Sequence, residues 1–286
     1  MLSLKVNLTP YFSVYSSNDS TLKYEDKNVV HAGDFVPYLN GNKKTVYYFH
    51  GFSENAEKTS VLSVVDAYIR RNDHNVLAVD WSKLAALNYF EVATCVDQIG
   101  KHIAIGIKNM LDAGLQLEKI NIVAHSMGAH IAGEIGRCIP NIPKIFGLDP
   151  AGPLVDHFRV VKPLCATDAT FVENIHTDGG VYGIDHSTGT IDFWPNHGKR
   201  MQPGCPLIFV PLSEDDFCSH HLSWVFYAES LINETAFMGV RYSKIKDPCS
   251  EQVVMGYSTP PTARGDYFLT TASKSPYGLG ATNTKC

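Results

Sequence analysis

Short runs of apolar, β-branched and aromatic residues alternate along the chain with segments whose apolar positions recur every three or four residues. Thr45–His50 (TVYYFH) is apolar throughout, rich in β-formers and closed by Gly51, the pattern of a strand buried on both faces. Asn75–Asp80 (NVLAVD), Lys119–Ala124 (KINIVA), Lys144–Asp149 (KIFGLD) and Phe171–His176 (FVENIH) read the same way. Between them, Lys58–Arg71 and Phe90–Ala113 carry helical spacing. In the second, Val96, Ile99, Ile103, Ile107 and Met110 step by three and four. A further helix is expected at about Gly128–Ile139. Strand–helix alternation of this kind predicts an α/β fold, a mostly parallel sheet with helices on both faces. Ligands of such sheets bind at the carboxyl ends of the strands. From about Val240 the chain is rich in Gly, Pro and Thr with little periodicity, which predicts a strand-and-loop extension of the same domain.

At 286 residues, with 44% hydrophobic and 19% charged positions and a mean hydropathy of −0.08, the chain is globular rather than disordered or fibrous. A net charge of −5 without Lys/Arg clusters argues against a nucleic-acid partner. No run of eighteen apolar residues is long enough to cross a membrane. The first twenty residues contain no apolar signal segment. Secretion is nonetheless expected, because the seven cysteines (95, 138, 165, 205, 218, 249 and 286) are many for a cytosolic enzyme. N-glycosylation sequons at Asn7, Asn18 and Asn233 agree with that. The cysteine spacings match no zinc site. Seven is odd, so one thiol is free or pairs between chains.

The strongest local signal is Ile120–His130 (INIVAHSMGAH). A strand ends in Ala124-His125-Ser126-Met127-Gly128 and a helix follows, approximating the G-x-S-x-G nucleophile elbow. Small residues flank such a serine because strand and helix backbones nearly touch; Ala124 stands in place of the first glycine. Asp185-His186-Ser187-Thr188-Gly189 mimics the pattern but follows glycines rather than a strand, so Ser187 is read as loop. A hydroxyl nucleophile needs a base, and the base an orienting acid, in the chain order Ser, Asp or Glu, His. Asp149 closes the next strand and precedes a rigid turn (Pro150–Pro153). Among later histidines, His176 lies in an apolar strand and is read as structural, while His186 and His197 lie in Gly-containing loops. His220 begins an element ahead of a helical pattern at Leu222–Ile232, with His221 a rival that spacing does not exclude. The backbone N–H groups of Phe52, after the His50-Gly51 turn, and of Met127 are the candidate oxyanion donors.

Several motifs occur together and in order. They are HGF at His50–Phe52, VDWS at Val79–Ser82, AHSMGAH at Ala124–His130 and GLDPAGP at Gly147–Pro153. IHTDGG at Ile175–Gly180, DFWPNHG…PGC at Asp192–Cys205 and CSHH at Cys218–His221 follow. By these the chain resembles the pancreatic-lipase-like family over about residues 8–240. The resemblance implies an α/β-hydrolase fold and lipid-ester hydrolysis by Ser126, Asp149 and His220, with oxyanion donors at Phe52 and Met127. It favours His220 over His221, since the family's base follows a Cys and one small polar residue. It also implies a lid between Cys205 and Cys218, closed by their disulfide. Leu222 departs from the family's usual Arg. Of its calcium ligands only Asp168 is present, with Val160, Pro163 and Cys165 at the other positions, so no metal and no cofactor is expected. The chain ends at Cys286 without the family's C-terminal β-sandwich, so a single domain and no colipase partner are expected. The lid segment Pro206–Phe217 is short, and so is the loop at Gly179–Ile191, as in phospholipase A1 members and related insect lipases. The expected activity is therefore hydrolysis of the sn-1 acyl ester of phospholipids at a membrane or micelle surface, with little interfacial activation. Triacylglycerol or galactolipid hydrolysis, a general carboxylesterase and a non-catalytic lipid-binding protein of the yolk-protein kind are the alternatives.

Overall fold

The computed structural model describes residues 10–16, 23–155, 158, 160–241 and 251–283. Asn7, Asn18, His157, Cys249 and Cys286 lie outside these residues. The elements are β1 (Tyr11–Ser16), β2 (Lys23–Asn28), β3 (Lys44–Phe49), α1 (Thr59–Arg71), β4 (His74–Asp80), α2 (Ser82–Ala85) and α3 (Tyr89–Asp112). They continue with β5 (Ile120–His125), α4 (Met127–Cys138), β6 (Lys144–Leu148), β7 (Phe171–Ile175), β8 (Ile191–Pro195), α5 (Glu214–Ile232), β9 (Met238–Arg241), β10 (Gln252–Val254) and β11 (Gly265–Leu269).

All strands join one 11-stranded sheet in the order β10-β9-β11-β8-β7-β6-β5-β3-β4-β1-β2. Its middle, from β4 through β3, β5, β6, β7 and β8 to β11, is parallel. Antiparallel pairs finish both edges, β1–β2 on one side and β9–β10 on the other. The α/β-hydrolase fold expected from the sequence is therefore present.

Side-chain alternation explains why the central strands read as unbroken apolar runs. Tyr47 and Phe49 of β3 pack with Ile103 and Ile107 of α3 and Ile131 and Ile135 of α4. Val46 and Tyr48, one step along, pack on the opposite face with Val64 and Tyr68 of α1 and Phe226 and Tyr227 of α5. Both faces of each inner strand are covered, so no polar phase survives in the sequence. Polar side chains at element ends do local work: Asn88 accepts from the Glu91 N–H at 3.0 Å and starts α3. The parallel order points the carboxyl ends of β3, β5, β6 and β7 to one rim, and the sequence-derived candidates lie there.

Candidate active site

The serine comes first, because the backbone makes it unusual. β5 stops at His125 and α4 starts at Met127, leaving Ser126 between them at φ 54°, ψ −123°. A non-glycine residue is rarely held there, and such strain clusters at functional sites. Three hydrogen bonds impose it. Ser126 N–H donates to Leu148 O at 3.0 Å, and Ser126 O accepts from the N–H of Ala129 at 3.1 Å and of Ala151 at 3.3 Å. The helix leaves the turn hard against β3: a Cβ added at Gly128 would lie 2.5 Å from His50 O. Ala124, the residue standing for the other small position, is buried and paired in register between Phe49 and Gly147. Its methyl group fits the sheet without displacing the turn.

Asp149 follows β6 at φ 44° and is fully buried. Its own N–H donates to Ile175 O at 2.8 Å. Oδ1 accepts from the N–H of Thr177 at 2.8 Å and of Asp178 at 3.1 Å, so the carboxyl plane is fixed by backbone. Oδ2 accepts from His220 Nδ1 at 2.6 Å. With Nδ1 carrying the hydrogen, the imidazole lone pair is on Nε2, the tautomer a general base needs. Ser126 Oγ and His220 make no hydrogen bond to each other in this structure, a contact that commonly tightens only with substrate bound. His125, the residue before the serine, lies with its ring 4.6 Å from that of His220.

His220 does not begin its element. Ser213 caps α5, its Oγ accepting the Asp216 N–H at 3.3 Å, and Glu214, Asp215 and Asp216 fill the first turn. Acidic residues suit the positive helix start, so the helix begins six residues before the histidine. Helical geometry then separates the two candidate imidazoles. His220 meets Asp149, whereas His221 turns away to within 3.5 Å of Glu214. Burial, aided by His125 and His220, pushes the His221 pKa down to about 3, so that ring stays neutral.

The Phe52 and Met127 N–H groups donate to no acceptor among the described residues, and the Phe52 ring packs edge-on against Tyr89 at 5.0 Å. Met127 opens α4, so its N–H also carries the positive end of that helix. His176 follows β7, fully buried and bonded to Asp192 at 2.8 Å. Ser187 lies in a loop and donates to Asp266.

Four residues around the site form a network that the sequence did not reveal. Arg200 binds Asp178 through two nitrogens, at 2.8 and 2.7 Å, and Asp216 at 2.6 Å. Tyr182 donates to Asp216 at 2.7 Å, and its ring lies 5.8 Å from His220. This network ties the segment that holds Asp149 to the helix that holds His220. Burial pushes the Asp178 carboxyl above its ordinary pKa, with Arg200 pulling the other way. No local pattern marks their joining, because they meet only once two loops and the first turn of α5 converge.

Cys205 and Cys218 are disulfide-bonded, while Cys95, Cys138 and Cys165 are free. Between the bridged cysteines, residues 206–213 are irregular and expose Leu207, Ile208, Val210 and Leu212. Glu214–Phe217 already belong to α5. Asp168 is held by Arg137 at 2.7 Å and by the Cys165 N–H at 3.0 Å. Among the described residues no group of three or more His, Cys, Asp or Glu is placed to hold a metal ion, and no helix is long and apolar enough to cross a membrane.

Comparison with known proteins agrees with this architecture. Lipase member H-B of Xenopus laevis is 36% identical over 73% of this chain, but the match spans only 46% of that protein's length. Phospholipase A1 of Vespa velutina is 31% identical over 82% of both chains. Among solved structures, a Pyrococcus furiosus esterase covers 61% of this chain and 74% of its own at 17% identity and a TM-score of 0.38, too loose a match to bear on function. The family model described as Lipase matches residues 16–277. Nearly the whole chain is thus accounted for, and the protein belongs to the Lipase family.

Proposed function

We propose that this chain is a secreted serine hydrolase that cleaves the sn-1 acyl ester of phospholipids. The observation that carries the reading is the fixed Asp149–His220 pair at 2.6 Å beside a strained serine at a helix N-terminus. In the proposed reaction Ser126 Oγ attacks the ester carbonyl carbon while His220 Nε2 takes its proton. The carbonyl oxygen becomes an oxyanion facing the Phe52 and Met127 N–H groups. Collapse breaks the bond to the glycerol oxygen, which leaves as the lysophospholipid hydroxyl with the proton from His220. Water, activated by the same imidazole, then hydrolyses the acyl-serine to release a fatty acid.

The phospholipid preference rests on the short irregular rim at 206–213 and on likeness to relatives named phospholipase A1. The exposed leucine, isoleucine and valine side chains of that rim suit contact with a lipid surface, and the disulfide suits an oxidising compartment. The test has two stages. A serine-directed phosphonate should label Ser126, read by mass spectrometry, and Ser126→Ala should lower kcat at least about 10³-fold with the fold retained. Phosphatidylcholine with a marked sn-1 chain should then release that chain. Turnover of triolein without release from phosphatidylcholine refutes the headgroup assignment, and no labelling of folded, oxidised protein moves the reading to lipid binding without catalysis.

A further inference from the structure

We propose that Glu54 is a positioning residue that joins the two halves of the oxyanion site, through Gly51 on one side and His125 on the other. The proposal rests on the hydrolase reading above and deepens it.

Glu54 lies in the turn after β3, largely buried beside the serine elbow. Its Oε2 accepts the Gly51 N–H at 2.6 Å and the His125 Nδ1–H at 3.1 Å, and its Oε1 accepts the Ser60 hydroxyl at 2.5 Å. Those two Oε2 donors have a common property: each immediately precedes a proposed working group. Gly51 precedes Phe52, whose N–H faces the oxyanion, and His125 precedes Ser126. One carboxylate oxygen therefore spans both segments where they run close together. A Cβ added at Gly51 would lie 2.9 Å from Glu54 Oε2, 3.0 Å from His125 Nδ1 and 3.1 Å from Ser126 Cβ.

The bond to Gly51 also decides which amide is left over. With the Gly51 N–H committed to Glu54 and the Ser53 N–H to Ala85 O at 3.2 Å, the Phe52 N–H between them is the amide without a described acceptor. Such a donor, held before the reaction starts, stabilises developing charge without reorganisation. Burial disfavours the Glu54 anion, yet the hydrogen bonds from His125 and Ser60 outweigh that and hold its carboxyl well below the usual range. Charge-assisted bonds of this kind are short and strong. His125 is consequently fixed as the Nδ1–H tautomer. Its Nε2 is buried without a partner among the described residues, an arrangement that leaves a polar atom desolvated to keep the ring against His220.

The experiment compares wild type, Glu54→Ala and Glu54→Gln by thermal melting, by phosphonate labelling at Ser126, and by kcat and KM on a soluble p-nitrophenyl ester. Glu54→Ala should lose about 10- to 100-fold in kcat, the scale for a misplaced or missing donor, with KM changed less than threefold. Glu54→Gln should recover part of the loss, because its amide oxygen still accepts the Gly51 N–H. Folded Glu54→Ala protein with kcat within threefold of wild type overturns the proposal, as does a fall in kcat/KM that lies in KM alone. Should Glu54→Ala fail to fold, Glu54→Gln decides: a twofold or larger loss in kcat at unchanged KM supports the role, and a kcat within twofold of wild type overturns it. Wild type that does not label at Ser126 sinks the hydrolase reading itself. Wild type that labels, with indifferent Glu54 variants, sinks only this one.

Discussion

The rim of the sheet carries two buried aspartate–histidine pairs, and their differences say more than their likeness. Asp149 meets His220 at 2.6 Å and Asp192 meets His176 at 2.8 Å. Each carboxylate also accepts two backbone N–H groups, from Thr177 and Asp178 in one case and from Thr188 and Gly189 in the other. Their settings diverge beyond that. His176 is stacked 4.0 Å from Trp194, and its Nδ1 is buried with no partner among the described residues. His220 lies on a helix at the strand ends, one ring away from the strained serine. An imidazole oriented by a carboxylate is therefore a common packing device. What marks out a candidate base is a nucleophile and a pair of uncommitted N–H groups beside it.

The most severe way to break this comparison is to exchange aspartate for asparagine in both pairs. Asp149→Asn should lower kcat by about 10⁴-fold, because an amide can hold the imidazole in the wrong tautomer. Asp192→Asn should leave kcat within about threefold. Steady-state kinetics on one ester substrate reads both, and equal losses would erase the distinction between the pairs.

Glu173 sharpens the comparison from another side. It lies on β7, the strand that leads to His176, fully buried but with no imidazole, and its Oε2 has no hydrogen-bond partner among the described residues. Burial raises its carboxyl pKa to about 7, with Lys144 pulling the other way. The unfolded chain releases this proton near the ordinary value of 4.5 and the folded chain holds it to about 7. Unfolding between those values thus releases a proton, so this contribution is full below the lower value and gone above the upper one. Its size is about 3 kcal/mol. Glu173→Gln should remove that slope, gaining on wild type as pH rises from 4.5 to 8. Denaturant titrations at several pH values check it, and parallel profiles for the two proteins would contradict it.

Smaller effects separate stability from chemistry. Asp192→Asn should cost about 1–3 kcal/mol in denaturant unfolding, the usual loss when buried hydrogen bonds to a charged group are weakened. His221→Gln should have the smallest effect, with kcat within threefold and the acid limb of the pH–rate profile unmoved, since a ring with a pKa near 3 stays neutral through that range. A displaced limb would make His221 part of the base.

These contrasts also show which parts of the molecule the sequence makes legible. β3 to β7 were readable because both faces of each are buried, so the apolar run is continuous. β1 (YFSVYS), between β4 and β2, and β10 (three residues), at the far edge, were not, since these antiparallel strands are mixed in character or short and carry no decisive period. Ser126 and Asp149 were legible because each ends a strand at a turn with its own chemistry. The choice between His220 and His221 was not settled by spacing. The Ser213-x-x-Asp216 cap that fixes the start of α5 was there to be read, and it places the helix start well before both. The network of Asp178, Arg200, Tyr182 and Asp216 and the bridge made by Glu54 were illegible for a different reason. Their partners lie far away in the sequence, and only the converging loops give them a shared purpose.

The rim at 206–212 is bracketed on one side by Cys205 and on the other by the cap and disulfide anchor of α5. His220 lies two residues beyond Cys218, on the helix side of that bracket. Length and composition can therefore vary inside the bracket while the imidazole keeps its place. Doubling such a loop costs only about 0.6 kcal/mol in closure entropy. Under the proposed hydrolase reading, residues 206–212 thus form an interchangeable cassette, replaceable where it keeps the Leu212 N–H bond to Asp216 Oδ2, while Asp149 and His220 are held from outside it.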